Sequence, residues 1–349
     1  MTQPERKYSY TGIIRDLLLN RIIEPDNAYF YFKHNLAVVF DQLFQFGQEN
    51  LSEVCLREGY NIEPARFYFC DDAEVNALAS RTNGHSTIEI NRGTVEQLWD
   101  VFCHRSILQD PELADYKALN DFYEQPPHNI SIGYIMLQSA LLFTFYHELG
   151  HLVQFANQTS AAASLDERNM AAGTRPFEFW YHIVEYDADQ HGAQQSAAHV
   201  IDFWSKLPEE ERTNENLSRL IVVTLVGILG FYMMLLDDPE TELYFYERTH
   251  PHPLIRLQWI YASLLDRISS NLSEVNVDNS AVLAETLRIL DVYFRHRNMG
   301  NIRARFHEPL FQNYQWIMSY IAHVLATASG PQYDHLITNT IHRRPRVES

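Results

Sequence analysis

Cysteine is scarce: three residues, Cys55, Cys70 and Cys103, in a chain of 349. They form no CxxC pair and no disulfide framework, and they fit a reducing compartment. Positive charge is short too, with 27 Lys+Arg against 45 Asp+Glu and a formal charge of −18. Such a surface repels nucleic-acid phosphate and anionic lipid, which makes both poor partners. The basic stretch His342–Arg346 is too short to reverse that. The opening MTQPERKYSY holds no apolar stretch after its positive residues, so no secretory signal is read and a cytoplasmic setting is expected. There is no internal repeat and no Gly/Pro/Ser linker. One compact domain over 1–349 is therefore expected, with a core at about 65–265 and largely helical extensions at 1–64 and 266–349. Apolar residues at 46% and charged residues at 21% exclude a disordered chain.

Long hydrophobic runs are confined to one. Leu220–Leu236 is seventeen residues without a charge, at the lower edge of bilayer-spanning length. It stands alone, is bounded by Arg219 and Asp237, and has no flanking positive cluster. A buried core helix behind the site is the expected reading, and a membrane span the weaker one.

Periodicity supports a mainly α protein with a small N-terminal β-sheet. Apolar residues recur at helical spacing in 34–58, 93–108, 132–155, 176–204 and 214–236. They do so again in segments within 253–268, 280–296 and 308–326. Arg66–Cys70 and Thr87–Asn91 read as strands, with a turn at Asn83-Gly84 and a polar loop from 109 to 129. Residues 158–175 are small and polar with no apolar face, which predicts a mobile lid on which a regulatory protein could act.

Residues 147–151 read His-Glu-Leu-Gly-His. On a helix His147 and His151 project from one face and can grip one metal ion, while Glu148 beside them can take a proton from an activated water. The apolar run before the motif carries it into the interior, where such groups need a partner. Gln154 and Asn157 stand where a metzincin would have Gly and His, which excludes that arrangement. A third ligand must then come from elsewhere. Glu185 and Asp189 share a helical face at i, i+4. Glu185 can complete the ligand set and Asp189 can fix the tautomer of a ligand histidine. His182 is a rival ligand, and Asp187 reads as part of a solvated acidic face. His307-Glu308 has Phe311 where a second histidine would stand, so it is no second zinc helix. Cys103 reads as a structural cysteine rather than an inhibitory thiolate.

HELGH followed by EYDAD resembles the HExxH…ExxxD pattern of gluzincin zinc metallopeptidases. It is most similar to the family of CAAX prenyl proteases and heat-shock membrane peptidases, and to the Lit-like phage-exclusion peptidases. NGHSTIEINRGTVEQL at 83–98 resembles their strand-then-helix, and THPHPLIRL at 249–257 their downstream THPxxxxR segment. The likeness spans roughly 75–260. It implies a zincin-like core, a bound Zn2+, and a protein or peptide substrate, with a host protein cut during phage infection as one candidate. It also places the oxyanion duty, or a neighbouring structural one, on the Thr249-His250-Pro251 segment, with His250 as the donor, and Arg256 would pair with the Glu185–Asp189 helix. The chain lacks the several spans of the prenyl-protease branch.

The expected function is thus a zinc endopeptidase in which Glu148 serves as general base and an extended peptide lies along Thr87–Asn91 as an edge strand. The rival from another class is a non-catalytic zinc-stabilised binding or scaffold protein. Its site would be closed by four ligands, with His182 or Asp189 as the fourth.

Overall fold

The computed structural model describes residues 7–157, 163–166, 178–235, 243–248, 250–272, 274–296 and 308–338. The chain is mainly α with one small sheet. Helices α1 (Tyr10–Leu19), α2 (Ala37–Glu49) and α3 (Cys55–Glu58) precede strands β1 (Ala65–Cys70), β2 (Ala77–Thr82) and β3 (His85–Asn91). Next come α4 (Arg92–Trp99), α5 (Ala114–Tyr123), α6 (Ile132–Asn157) and strand β4 (Ala163–Asp166). After these come α7 (Phe179–Lys206), α8 (Asn214–Met234), α9 (Pro253–Asn271) and α10 (Asn279–His296). The last two are α11 (Glu308–Gln312) and α12 (Tyr314–Ala328). The fold class read from the sequence is the one observed.

The sheet has the order β1-β3-β2-β4. β1 runs parallel to β3, and the other pairs are antiparallel. Asn83 and Gly84, at φ 51° and 80°, form the two-residue turn of the β2–β3 hairpin. Positive φ at both positions matches the twist of the paired strands, and Asn-Gly accepts it at low cost. The sequence reading missed β2, whose ALASRT carries neither aromatics nor a β-branched run. Thr87–Asn91 lies in β3, which is paired on both sides, so it is not an edge strand and offers no free main-chain groups to a peptide. β4 occupies the far side of β2, using part of the 158–175 stretch expected to be a lid. The rest of that stretch, and with it the lid, lies outside the described residues.

The expected loop at 109–129 contains α5. This helix turns Tyr116, Leu119 and Tyr123 inward, a stripe at positions i, i+3 and i+7 that a predominantly polar composition masked.

Helix α6 is the axis of the fold. It packs on α7, α8 and β2, and it is buried on nearly all sides from Ile132 to Phe155. Its first four turns are mostly apolar, interrupted by Gln138 and Ser139, and His147, Glu148, His151 and Gln154 follow in the buried second half. Gly150 favours the close approach of α7: a Cβ there would come 3.0 Å from the Ala188 Cα, and the helices would have to give by a few tenths of an ångström. The variable position of HELGH therefore brings the carboxylates of α7 to the histidines of α6.

Helix α8 carries the long apolar run. It is the one helix among the described residues long and apolar enough to cross a membrane, and 83% of its most apolar window is buried inside the protein. It packs against α6 and α10 and reaches the polar centre with one group, the Tyr232 hydroxyl.

Candidate metal centre

His147, His151 and Glu185 converge, with ligand atoms all within 4.8 Å of one another and every side chain buried. The Nε2 atoms of the two histidines face each other at 3.1 Å. Glu185 lies 3.6 Å from His147 Nε2 and 3.4 Å from His151 Nε2. Four ligands at about 2.0–2.1 Å around a tetrahedral ion would sit about 3.3 Å apart. The three observed separations bracket that value, so the cage has the size of one small divalent cation.

The hydrogen atoms point the same way. Gln154 Nε2 donates to the Val184 carbonyl at 3.0 Å and to Asp187 at 2.8 Å, which turns its Oε1 toward His151 Nδ1 at 2.9 Å. His151 Nδ1 must then carry a proton. His147 Nδ1 faces the Asp189 carboxylate, 2.9 Å from its Oδ1. With both imidazoles neutral, as metal binding requires, their Nε2 lone pairs point at each other and at the Glu185 carboxylate. Acceptors packed face to face in a buried site need a cation between them. A metal ion fits this group.

Asp189 is the hub behind it. Besides His147 it accepts from Arg256 Nε at 2.8 Å, Arg256 Nη2 at 2.7 Å, the Tyr232 hydroxyl at 2.6 Å and Trp259 Nε1 at 2.8 Å. Burial pushes its pKa up, but Arg256 and His147 prevail and hold it at about 2. Glu185 behaves similarly: burial opposes ionisation, while His250, His151 and Arg256 keep it well below the usual carboxylate range. Arg256 lies 3.3 Å from Glu185 Oε2, so one guanidinium spans Glu185 and Asp189.

His250 stands beside the group, its Nε2 3.6 Å from Glu185 Oε1. It and His252 are buried, so neither is an exposed loop histidine; His252 Nδ1 caps α9 by accepting from Leu254 N–H at 3.1 Å. Pro253 follows at the first helical position, as its fixed φ favours. Thr249 lies outside the described residues. Glu148 is buried on α6 next to His147.

Two sequence readings are corrected. His182 is not a competing ligand: it pairs with the Tyr320 hydroxyl through Nδ1 and with the Arg248 carbonyl through Nε2 at 2.8 Å. Asp187 is not on a solvated face but fully buried, bound to Gln154 and to the backbone N–H groups of Ile337 and Thr338. Neither Cys103 nor the other thiols belong to the metal group. His307 lies outside the described residues.

Gln154, Tyr232 and Trp259 were not assigned roles from sequence. Gln154 had a signal, standing three residues after His151 on the same helical face. Trp259 had one too, one turn beyond Arg256. Tyr232 was hidden in an apolar run.

His191 is a different kind of group. It is buried, with both ring nitrogens lacking a hydrogen-bond partner among the described residues, and it meets the edge of Tyr146. Burial, helped by His147, pushes its pKa from 6.5 down to about 4. The unfolded chain therefore binds a proton here between pH 6.5 and 4 that the folded chain refuses. Stability from this group is full above pH 6.5 and falls as pH drops toward 4, by about 3 kcal/mol in all. Urea unfolding at pH 7.5 and pH 4.5 should show a markedly smaller pH dependence in His191→Leu than in wild type. Equal dependence in the two proteins would mean that His191 is not held neutral.

Comparison with known proteins finds no matching family model, no similar curated protein and no similar solved structure. The metal group therefore rests on its own geometry: two imidazoles and a carboxylate, buried, with lone pairs converging on one point.

Proposed function

We propose that the chain is a zinc-dependent endopeptidase of gluzincin type, with His147, His151 and Glu185 as ligands and Glu148 as general base. The observation that carries this reading is the convergence of the three acceptors with Glu148 adjacent on α6. Two imidazoles and one carboxylate are donors that suit zinc, and they leave a coordination position for chemistry. A zinc ion so held supplies Lewis acidity, making a water easier to deprotonate and a scissile carbonyl easier to attack. Glu148 takes the proton from the attacking water and returns it to the leaving amine. His250 donates toward the oxygen on which negative charge develops. Asp189 holds the His147 ring in the tautomer that offers Nε2, and Arg256 locks Asp189. A cytoplasmic protein or peptide substrate, with no nucleic acid or membrane partner, suits the acidic charge of −18.

The scaffold reading would close the site with a fourth protein ligand. His182 and Asp189 are both engaged elsewhere, so this reading would need His250, whose Nε2 lies 3.6 Å from Glu185 Oε1. One variant separates the two readings. With His250 as an oxyanion donor, His250→Phe keeps its zinc and loses roughly a hundredfold in turnover with little change in KM. With His250 as a fourth ligand, the same variant loses zinc.

The activity itself is tested by incubating the zinc-loaded protein with unfolded proteins and mapping new N-termini. Cleavage that a chelator stops and zinc restores supports the peptidase. Stoichiometric zinc with no cleavage of any substrate, and no binding of a hydroxamate to the cobalt-substituted protein, would favour the scaffold.

A further inference from the structure

Deepening the metal reading and resting on it, we propose that the C-terminal segment His335–Thr338 is a working part of the metal centre, acting on His151 through Asp187 and Gln154. These are positioning residues, and none touches the metal group's ligand atoms on its own account. The relay is continuous. Asp187 Oδ2 accepts from the Ile337 N–H at 2.8 Å, and its Oδ1 accepts from the Thr338 N–H at 3.0 Å and from the Thr338 hydroxyl. The same Oδ2 accepts from Gln154 Nε2 at 2.8 Å. With the Val184 carbonyl taking the other amide hydrogen, Gln154 has a single orientation, and its Oε1 receives His151 Nδ1.

The logic of donors makes this a relay and not a set of neighbours. Asp187 is fully buried and its hydrogen-bond partners Gln154, Ile337 and Thr338 all donate to it, so its orientation depends on those donors. Without residues 337–338 it would lose its donors from the C-terminal side, and a buried carboxylate facing one amide would rearrange or draw in water. Gln154 would then be free to flip, presenting N–H to His151 Nδ1 and favouring a proton on Nε2, the nitrogen that must stay bare to bind metal. The segment is seated to do this: Leu336 and Ile337 are buried in the core, and the Asn157 amide at the end of α6 donates to the His335 carbonyl at 3.1 Å. A partner or a protease that withdraws residues 335–338 would therefore loosen His151 without approaching the metal.

The test uses full-length protein carrying Gln154→Met, Asp187→Asn, or both. Zinc affinity is measured by chelator competition, and the cobalt-substituted absorption spectrum is recorded alongside. Gln154→Met leaves the C-terminal donors on Asp187 and should weaken zinc roughly 10–100-fold with an altered cobalt spectrum. Asp187→Asn turns an amide toward donors and should weaken zinc comparably, and the double variant should be no worse than the worse single, since both break one relay. Independent effects that multiply in the double variant would overturn the proposal. So would zinc affinity within twofold of wild type and an unchanged cobalt spectrum in Gln154→Met, which keeps the test decisive if Asp187→Asn does not fold. A wild-type protein that takes up no metal would instead overturn the metal reading beneath it.

Discussion

Replacing Glu148 with Gln should lower peptide hydrolysis by about a thousandfold or more while leaving zinc content at wild-type level. The amide keeps the size of the carboxylate, so the packing of α6 around a buried position is preserved. It cannot accept a proton from water or deliver one to the leaving amine, and a positioned general base contributes about 10²–10⁴ in rate. Because Glu148 is not among the three converging ligand groups, its loss should not release the ion. Hydrolysis rates on a mapped substrate, with metal analysis of the same sample, check both halves. A variant that cuts as fast as wild type would remove Glu148 from the mechanism, and one that loses zinc would make it a ligand.

Asp189→Ala should be the most damaging substitution to the fold itself. The carboxylate accepts from His147, Tyr232, Trp259 and twice from Arg256, all in a buried setting. Removing it takes two hydrogen bonds from the buried Arg256 guanidinium and the partner 2.9 Å from His147 Nδ1. Breaking a buried pair by deleting one partner costs about 3–5 kcal/mol, against a typical total stability of about 5–15 kcal/mol. Zinc affinity should also fall, by about 10–100-fold, as for other lost partners of ligand histidines. Urea denaturation and chelator competition measure the two effects. A loss below about 1 kcal/mol would mean that Asp189 is peripheral to the stability of α7 and α9.

Both expectations concern residues whose positions were legible without coordinates. The HExxH spacing fixes the geometry of α6 because helical periodicity alone puts His147 and His151 on one face. The pairing of Glu185 with Asp189 followed from the same period on α7. What spacing cannot carry is the distance between two helices. Gly150, which lets α7 approach, looks like a neutral filler within HELGH until Ala188 is seen against it. Sheet order was likewise illegible: β3 reads as a strand from TIEIN, but whether it is an edge depends on β2, whose residues have no strand signature. Asp187 was misjudged for a related reason. An acidic residue between two others looks solvated on a helical wheel, whereas Gln154 and the returning chain at Ile337 and Thr338 supply its donors in the interior. Long-range contacts of this kind leave no local trace in composition or period.

The central claim is that His147, His151 and Glu185 hold one metal ion, and its most direct test is metal analysis with X-ray absorption at the metal edge. Protein purified without added metal should carry close to one equivalent of zinc, with nitrogen and oxygen neighbours at about 2.0–2.1 Å and no sulfur shell, and Glu185→Ala should carry far less. Iron in place of zinc, with the same light-atom shell, would keep the site but overturn the peptidase assignment. Wild-type protein with no stoichiometric metal, or a Glu185→Ala variant as fully loaded as wild type, would contradict the claim itself.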